Sequence, residues 1–73
     1  MSAEDNPLNK ARRLVDEGRR LVWEQKGLIA RRRTAGLDVV EAEQILRVLE
    51  RNLRTLVQHK DALESEDNQG TRR

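Results

Sequence analysis

The chain contains no cysteine, and among its 73 residues there is no Phe or Tyr, one Trp, one Pro and one His. Without cysteine it forms neither disulfides nor thiolate metal sites, which fits a reducing compartment. A single His provides no metal cluster, and no nucleophile stands at triad-like spacing from it. Aromatic side chains that would line a substrate pocket are nearly absent. We therefore expect a protein that is not an enzyme and that holds no metal or cofactor.

Long apolar runs are also absent. The apolar residues occur in short groups separated by charged ones, so no membrane span is expected. The polar, acidic start MSAEDNP does not resemble a secretory signal. These features predict a cytoplasmic protein without a membrane partner.

Charged residues make up 38% of the chain and apolar residues 36%, a balance typical of surface-rich helices. The net charge is +2, but it is unevenly distributed. Residues 8–34 carry nine basic and three acidic side chains, whereas residues 39–64 carry four and five. The first half is therefore basic and the second nearly neutral.

The first half reads as one long amphipathic helix. Asn6 is a suitable N-cap, and Pro7 suits the first helical position because its missing N–H is not needed there. The segment RRLVDEG at 12–18 is followed by the similar RRLVWEQ at 19–25. A seven-residue repeat keeps one side of a helix facing the same partner, as in coiled coils. Beside the Leu and Val columns lies a third column with small members, Ala11, Gly18, Gln25 and Arg32.

A single break at residues 34–38 separates the two halves. Gly36 can adopt the left-handed conformation that ends a helix. Asp38 and Glu41 form a D-x-x-E capping pattern for the next helix, with Leu37 placed to pack on Ala42. So short a connection reverses the chain. The pattern predicts an all-α, antiparallel two-helix hairpin resembling a coiled coil.

The expected boundaries are a flexible N-terminus at 1–6, a hairpin at 7–64 and a disordered tail at 65–73. Within the hairpin we expect a helix at 7–35, a turn at 36–38 and a helix at 39–64. Folding at Gly36 pairs positions whose numbers sum to about 74. Gly18 then faces Leu56, a close contact that would justify glycine inside a helix.

A lone hairpin buries each apolar side chain on one side only, so we expect a homodimer that forms a four-helix bundle. Asn52 and Gln25 are interpreted as polar residues that fix register or oligomeric state, and His59 as a partly buried residue that hydrogen-bonds across the bundle. The expected oligomer interface comprises Leu14, Leu21, Leu28, Ile45, Leu46, Leu49, Asn52, Leu53, Leu56 and Leu63.

Trp23 lies about 140° around the helix from the centre of the Leu/Val stripe. Because Trp is enriched among binding hot spots, its surroundings are a candidate surface for an unknown protein partner. The alternative is a boundary Trp resting on Arg and Lys side chains. The candidate surface comprises Arg19, Trp23, Gly27 and Ala30.

The basic first helix raises a second functional hypothesis, contact with nucleic acid phosphates. The candidate residues are Arg12, Arg13, Arg19, Arg20, Lys26 and Arg31. Acidic residues interrupt this pattern and stacking aromatics are missing, so a solvated, salt-bridged face explains it as well. The Arg run at 31–33 also suits the negative end of the helix dipole.

The stretch QKGLIARRRTAGLDVVEAEQILRVLERNL, residues 25–53, resembles short uncharacterised two-helix proteins of alphaproteobacteria. The resemblance rests on Gln25, the Leu-Ile-Ala run at 28–30, Gly36 with Asp38, and the Ala-Glu pair at 42–43. It implies no activity. The hairpin is also similar in architecture to the ROP type of RNA-binding dimer, an analogy of fold only. Together these observations predict a small self-associating interaction or adaptor protein.

Overall fold

A computed structural model gives the structure of the chain for residues 6–71, with side chains described as far as residue 66. It contains two helices, α1 (Pro7–Thr34) and α2 (Val40–Thr71), which pack side by side along their lengths. This confirms the predicted all-α hairpin. Over the described residues, neither helix has an apolar stretch long enough to cross a membrane.

The start of α1 follows the predicted capping. The Asn6 side chain accepts a hydrogen bond from the Leu8 backbone N–H at 2.8 Å, and Pro7 occupies the first turn. The Lys10 N–H donates to the Asn6 carbonyl at 3.0 Å, which closes the first helical turn. The cap therefore satisfies a backbone donor that has no partner within the helix.

The turn after α1 is a Schellman motif centred on Gly36. Gly36 has φ of 75°, a conformation that glycine adopts without steric strain. The Leu37 N–H donates to the Arg32 carbonyl at 2.9 Å, and the Gly36 N–H donates to the Arg33 carbonyl at 3.1 Å. The Arg32 side chain also donates to the Asp38 carbonyl at 3.1 Å, which ties α1 to the turn.

The start of α2 uses half of the predicted capping box. The Asp38 carboxylate accepts from the Val40 N–H at 3.0 Å, although Asp38 lies one residue before the usual N-cap position of a helix that begins at Val40. Among the described residues, Glu41 does not make the reciprocal bond. Leu37 stays 53% exposed, so the predicted packing on Ala42 covers little of its surface.

The helix bounds differ from the prediction at three points. The first helix ends at Thr34 rather than residue 35, and the second begins at Val40 rather than 39. The second helix also continues to Thr71, seven residues beyond the expected end at residue 64. Each residue added to an existing helix gains a backbone hydrogen bond without a new nucleation step. A helix can therefore extend through polar residues that bury no apolar surface. The predictions for residues 1–5 and 72–73 lie outside the described residues.

Ion pairs and a close contact define the register between the helices. Arg12 pairs with Glu64 at 3.2 Å, and Arg33 pairs with Glu43 at 2.8 Å. A Cβ added to Gly18 would lie 3.5 Å from a Leu56 methyl group. The two residue numbers of each pair add up to 74–76. This confirms the predicted register, in which paired residue numbers add up to about 74.

The core is thin. In the described part of the chain, the only buried apolar side chains are Ala11, Val15, Val22, Ile29 and Ala42. The molecule measures 59 × 21 × 13 Å, and its shortest dimension is that of one helix layer. Consequently, only side chains between the helices can be buried, and both broad faces of the hairpin meet solvent.

Candidate interaction surfaces

One broad face carries a leucine column from α1. Leu14, Leu21 and Leu28 are spaced by seven residues and are 42%, 37% and 38% exposed. The neighbouring Val15, Val22 and Ile29 have the same spacing but lie between the helices, where they are buried. The two columns that looked equivalent in sequence therefore differ: the Val/Ile column is buried against α2, whereas more than a third of each Leu stays exposed at the edge of that contact.

The corresponding residues of α2 lie on the same face. Ile45 and Val48 are 52% and 50% exposed. Leu28 and Ile45 line one groove between the helices, together with Gln25 and Ala42. Ile45 and Val48 also line an adjoining groove with Leu49. We call this surface the apolar face and define it by Leu14, Leu21, Leu28, Ile45, Val48, Leu49, Leu56 and Leu63.

Three polar residues interrupt or border the apolar face. Asn52 and His59 follow Ile45 at seven-residue intervals, and both are exposed in the hairpin. The prediction for His59 concerns the four-helix bundle, and the single hairpin does not test it. Gln25 is part-buried, and its amide donates to the Ala42 carbonyl at 2.9 Å. That bond joins α1 to the α2 backbone, the register-fixing role predicted for Gln25.

Leu46 and Leu53, which we predicted at the oligomer interface, are half-buried within the hairpin itself. A methyl group of Leu53 lies 3.1 Å from the position that a Gly18 Cβ would take. Leu46 shares a groove with Ile29 on the opposite broad face. Leu49, Leu56 and Leu63 are half-buried as well. Leu46 opens on the opposite broad face and Leu53 makes the nearer contact with Gly18, so we leave these two out of the apolar face.

The opposite broad face is bordered by charge. Its groove is lined by Ile29 and Leu46, with Lys26, Arg33 and Glu43 around them. The Arg33–Glu43 pair bridges the helices on this side. We call this surface the charged face. The hairpin thus has two sides of different character, and ion pairing already covers part of one of them.

Trp23 is the most exposed large apolar side chain of the described chain, at 75%. Neighbouring side chains leave it uncovered, which argues against the boundary interpretation. Arg19 and Ala30 beside it are exposed as well, whereas Gly27 is half-buried because the Arg31 guanidinium lies against it. Since Trp23 points away from the leucine column, the apolar face and the Trp23 surface are separate.

The six candidate nucleic-acid contacts are all exposed, but they do not form one cluster. At about 100° per residue, Arg12, Arg19 and Lys26 follow one line along α1. Arg13, Arg20 and Arg31 follow another, about a quarter of a turn away.

Carboxylates also occupy several of these cations. Arg20 donates to Glu17 and, at 2.6 Å, to Glu24, and these hydrogen bonds raise the pKa of its guanidinium. Arg12 is paired with Glu64 across the hairpin. The arrangement is that of a salt-bridged helix surface more than of a phosphate-binding stripe.

Within the described residues, no three His, Asp or Glu side chains are grouped so as to hold a metal ion. Comparison with protein-family models, with curated proteins and with solved structures finds no match to this chain. The resemblance to alphaproteobacterial two-helix proteins therefore stays a prediction. The surfaces of the hairpin itself are what support a functional proposal.

Proposed function

We propose that the chain is a non-enzymatic interaction protein that forms a homodimer through the apolar face, giving a four-helix bundle. The observation that carries this proposal is the exposed column of Leu14, Leu21 and Leu28 beside Ile45. Soluble monomers seldom expose so many large apolar side chains along one face. A second copy of the same face supplies matching side chains with the same seven-residue spacing.

The dimensions of the face support this proposal. The helices overlap for about 40 Å, at about 1.5 Å per residue, and the hairpin is 21 Å wide. The face therefore offers on the order of 800 Å² per protomer, which is the size of a standard stable interface. Covering it would give the thin core a second layer, which is how four-helix bundles bury their helices.

The asymmetry of the hairpin favours one face for this contact. On the charged face, Arg33 and Glu43 already satisfy each other, and burying them would require removing both from water. On the apolar face, no described ion pair bridges Leu28 and Ile45. The charged residues that line their groove, Arg32, Asp38 and Glu41, lie at its turn end, so covering the leucine column buries no ion pair between the helices. The hydrophobic effect therefore favours contact through the apolar face.

A matched pair of substitutions tests the dimer. Leu21→Glu places a charge at the centre of the apolar face, whereas Leu37→Glu makes the same change at the exposed turn. We expect Leu21→Glu to lose the dimer and unfold at a lower temperature, and Leu37→Glu to behave like the unaltered chain. Thermal unfolding followed by circular dichroism at several protein concentrations measures both effects, because the midpoint for a dimer rises with concentration.

Two results contradict the proposed dimer. One is an unfolding midpoint of the unaltered chain that does not depend on protein concentration. The other is equal behaviour of the two glutamate variants, which would show that the apolar face is not the contact.

The proposed adaptor role rests on Trp23. Its surface stays open when the apolar face is covered, so a dimer presents two copies of it. We expect Trp23→Ala to abolish retention of a partner in affinity capture from the native cell while the protein remains dimeric. Arg47→Ala, an exposed change on α2, is the control. Equal recovery of every captured protein by Trp23→Ala and the control would refute the role of this surface.

Nucleic-acid binding has weaker support. The six cations divide between two lines on α1, and Arg12 and Arg20 already pair with carboxylates. Among the described side chains, only Trp23 and the imidazole of His59 are aromatic, and they lie on different helices, so no row of stacking platforms is formed. We therefore favour a protein partner.

A further inference from the structure

The residues that flank the apolar face are charged in a symmetric order. On α1, a column one step outside the leucines contains Lys10, Glu17, Glu24 and Arg31, spaced by seven. Read in either direction, its charges are positive, negative, negative, positive. We call it the flank column of α1. Lys10 and Arg31, at its two ends, have no ion pair with any described side chain.

The flank of α2 is different. Glu41 stands at its turn end and borders the groove that contains Leu28 and Ile45. The next positions along this flank, at seven-residue spacing, are uncharged: Val48, Thr55 and Ala62. A further carboxylate, Glu66, follows His59 by seven residues near the open end, so the acidic groups of this side lie at its two ends.

Two hairpins can place their apolar faces together in two symmetric ways. In the first, α1 lies over α2 of the partner copy, and both turns are at the same end of the bundle. In the second, α1 lies over α1 of the partner copy, and the turns are at opposite ends. All neighbouring helices are antiparallel in both arrangements, so apolar burial alone does not distinguish them.

The charges of the flank column of α1 disfavour the arrangement in which the two turns lie at opposite ends of the bundle. In that arrangement the column meets its own copy in reverse, because the two helices run antiparallel. With the leucine columns in register, Lys10 faces Arg31 of the partner copy, and Glu17 faces Glu24 of the partner copy. Arg20 partly neutralises the two glutamates. Nothing described neutralises Lys10 and Arg31, so their repulsion remains.

The same-end arrangement brings opposite charges together. The hairpin places Arg33 level with Glu43 and Arg12 level with Glu64. In this arrangement α2 of the partner copy lies beside α1 at the same heights along the bundle as α2 of the same chain. Arg31 is then close to Glu41 of the partner copy, and Lys10 is close to Glu66 of the partner copy. Both positively charged ends of the flank column therefore lie close to a carboxylate of the partner copy.

We propose that the second copy docks with both turns at the same end of the bundle, as selected by these flank charges. This inference rests on the proposed dimer and adds its direction. It also places the two Arg runs at 31–33 at one end of the molecule and both open ends of the hairpins at the other.

Spin-label distances test the direction. The chain has no cysteine, so Ala35→Cys provides one labelling site per protomer at the turn. Same-end docking places the two labels within about 30 Å, since neighbouring helices lie about 8–10 Å apart. Opposite-end docking separates them by about 40 Å or more, the length of the helices. Long distances in a dimer would overturn the direction alone, whereas a monomer would overturn the proposed function.

A charge reversal tests the direction independently, because the two arrangements predict opposite changes in dimer affinity. In same-end docking, Arg31→Glu places like charges beside Glu41 and weakens the dimer by about three- to tenfold, and adding Glu41→Arg restores it. In opposite-end docking, Arg31→Glu removes the repulsion with Lys10 and strengthens the dimer. Arg47→Glu, an exposed reversal outside the flank columns, is the control and leaves the affinity within about twofold. A stronger dimer with Arg31→Glu contradicts the proposal.

Discussion

At the residue scale, three glycines have three different environments. Gly18 lies against Leu53 and Leu56 of α2, Gly27 meets only the end of the Arg31 side chain, and Gly36 has positive φ. The sequence predicted the roles of Gly18 and Gly36, because a helix-interior glycine and a glycine at a chain reversal have recognisable physical reasons. It did not predict Leu53 as the nearer neighbour of Gly18, since that depends on the rotation of α2 about its axis.

Alanine substitution separates these environments. Gly27→Ala should stabilise the fold by about 0.5–1 kcal/mol, because alanine favours helix and little stands in its way. Gly18→Ala should gain less, since the new methyl group would lie 3.1 Å from a Leu53 methyl group. Gly36→Ala should destabilise by about 1 kcal/mol or more, owing to its positive φ.

Urea unfolding at one fixed protein concentration measures the free energy of unfolding of the three variants and so their order of stability. A Gly18→Ala protein as stable as Gly27→Ala would contradict the close approach of α1 and α2 at this point.

At the scale of the helices, capping residues determine where α1 and α2 begin. Asn6 and Asp38 each accept a backbone N–H two residues ahead, as their positions in the sequence predicted. The end of α2 was not predictable in the same way. The segment after residue 64 has no apolar periodicity, and the prediction treated that absence as an end, whereas a helix already formed continues through polar residues.

Removal of one cap tests this interpretation. Asp38→Ala should destabilise the fold by about 1 kcal/mol, because the Val40 N–H loses its acceptor. Asp16→Ala, in the middle of α1 and exposed, is the matched control and should be neutral or slightly stabilising, because alanine favours helix more than aspartate does. Chemical denaturation of both proteins measures the difference. Equal stability would show that the Asp38 cap contributes nothing to the start of α2.

At the scale of the whole molecule, the important property is that the hairpin is one helix layer thick. The heptad spacing predicted two apolar columns on α1, but it did not show which column α2 would cover. The structure assigns Val15, Val22 and Ile29 to the intrachain contact and leaves Leu14 and Leu21 exposed. This choice depends on the direction from which α2 approaches, a property of the folded pair that neither helix specifies alone.

We propose that this layer is half of a four-helix bundle. Sedimentation equilibrium over a wide range of protein concentration tests it most directly. We predict a mass of about 17 kDa, twice the 8.5 kDa of one chain. On dilution the mass should fall towards that of one chain, and the helical circular dichroism signal should fall with it. A folded helical species of 8.5 kDa at every concentration would contradict it.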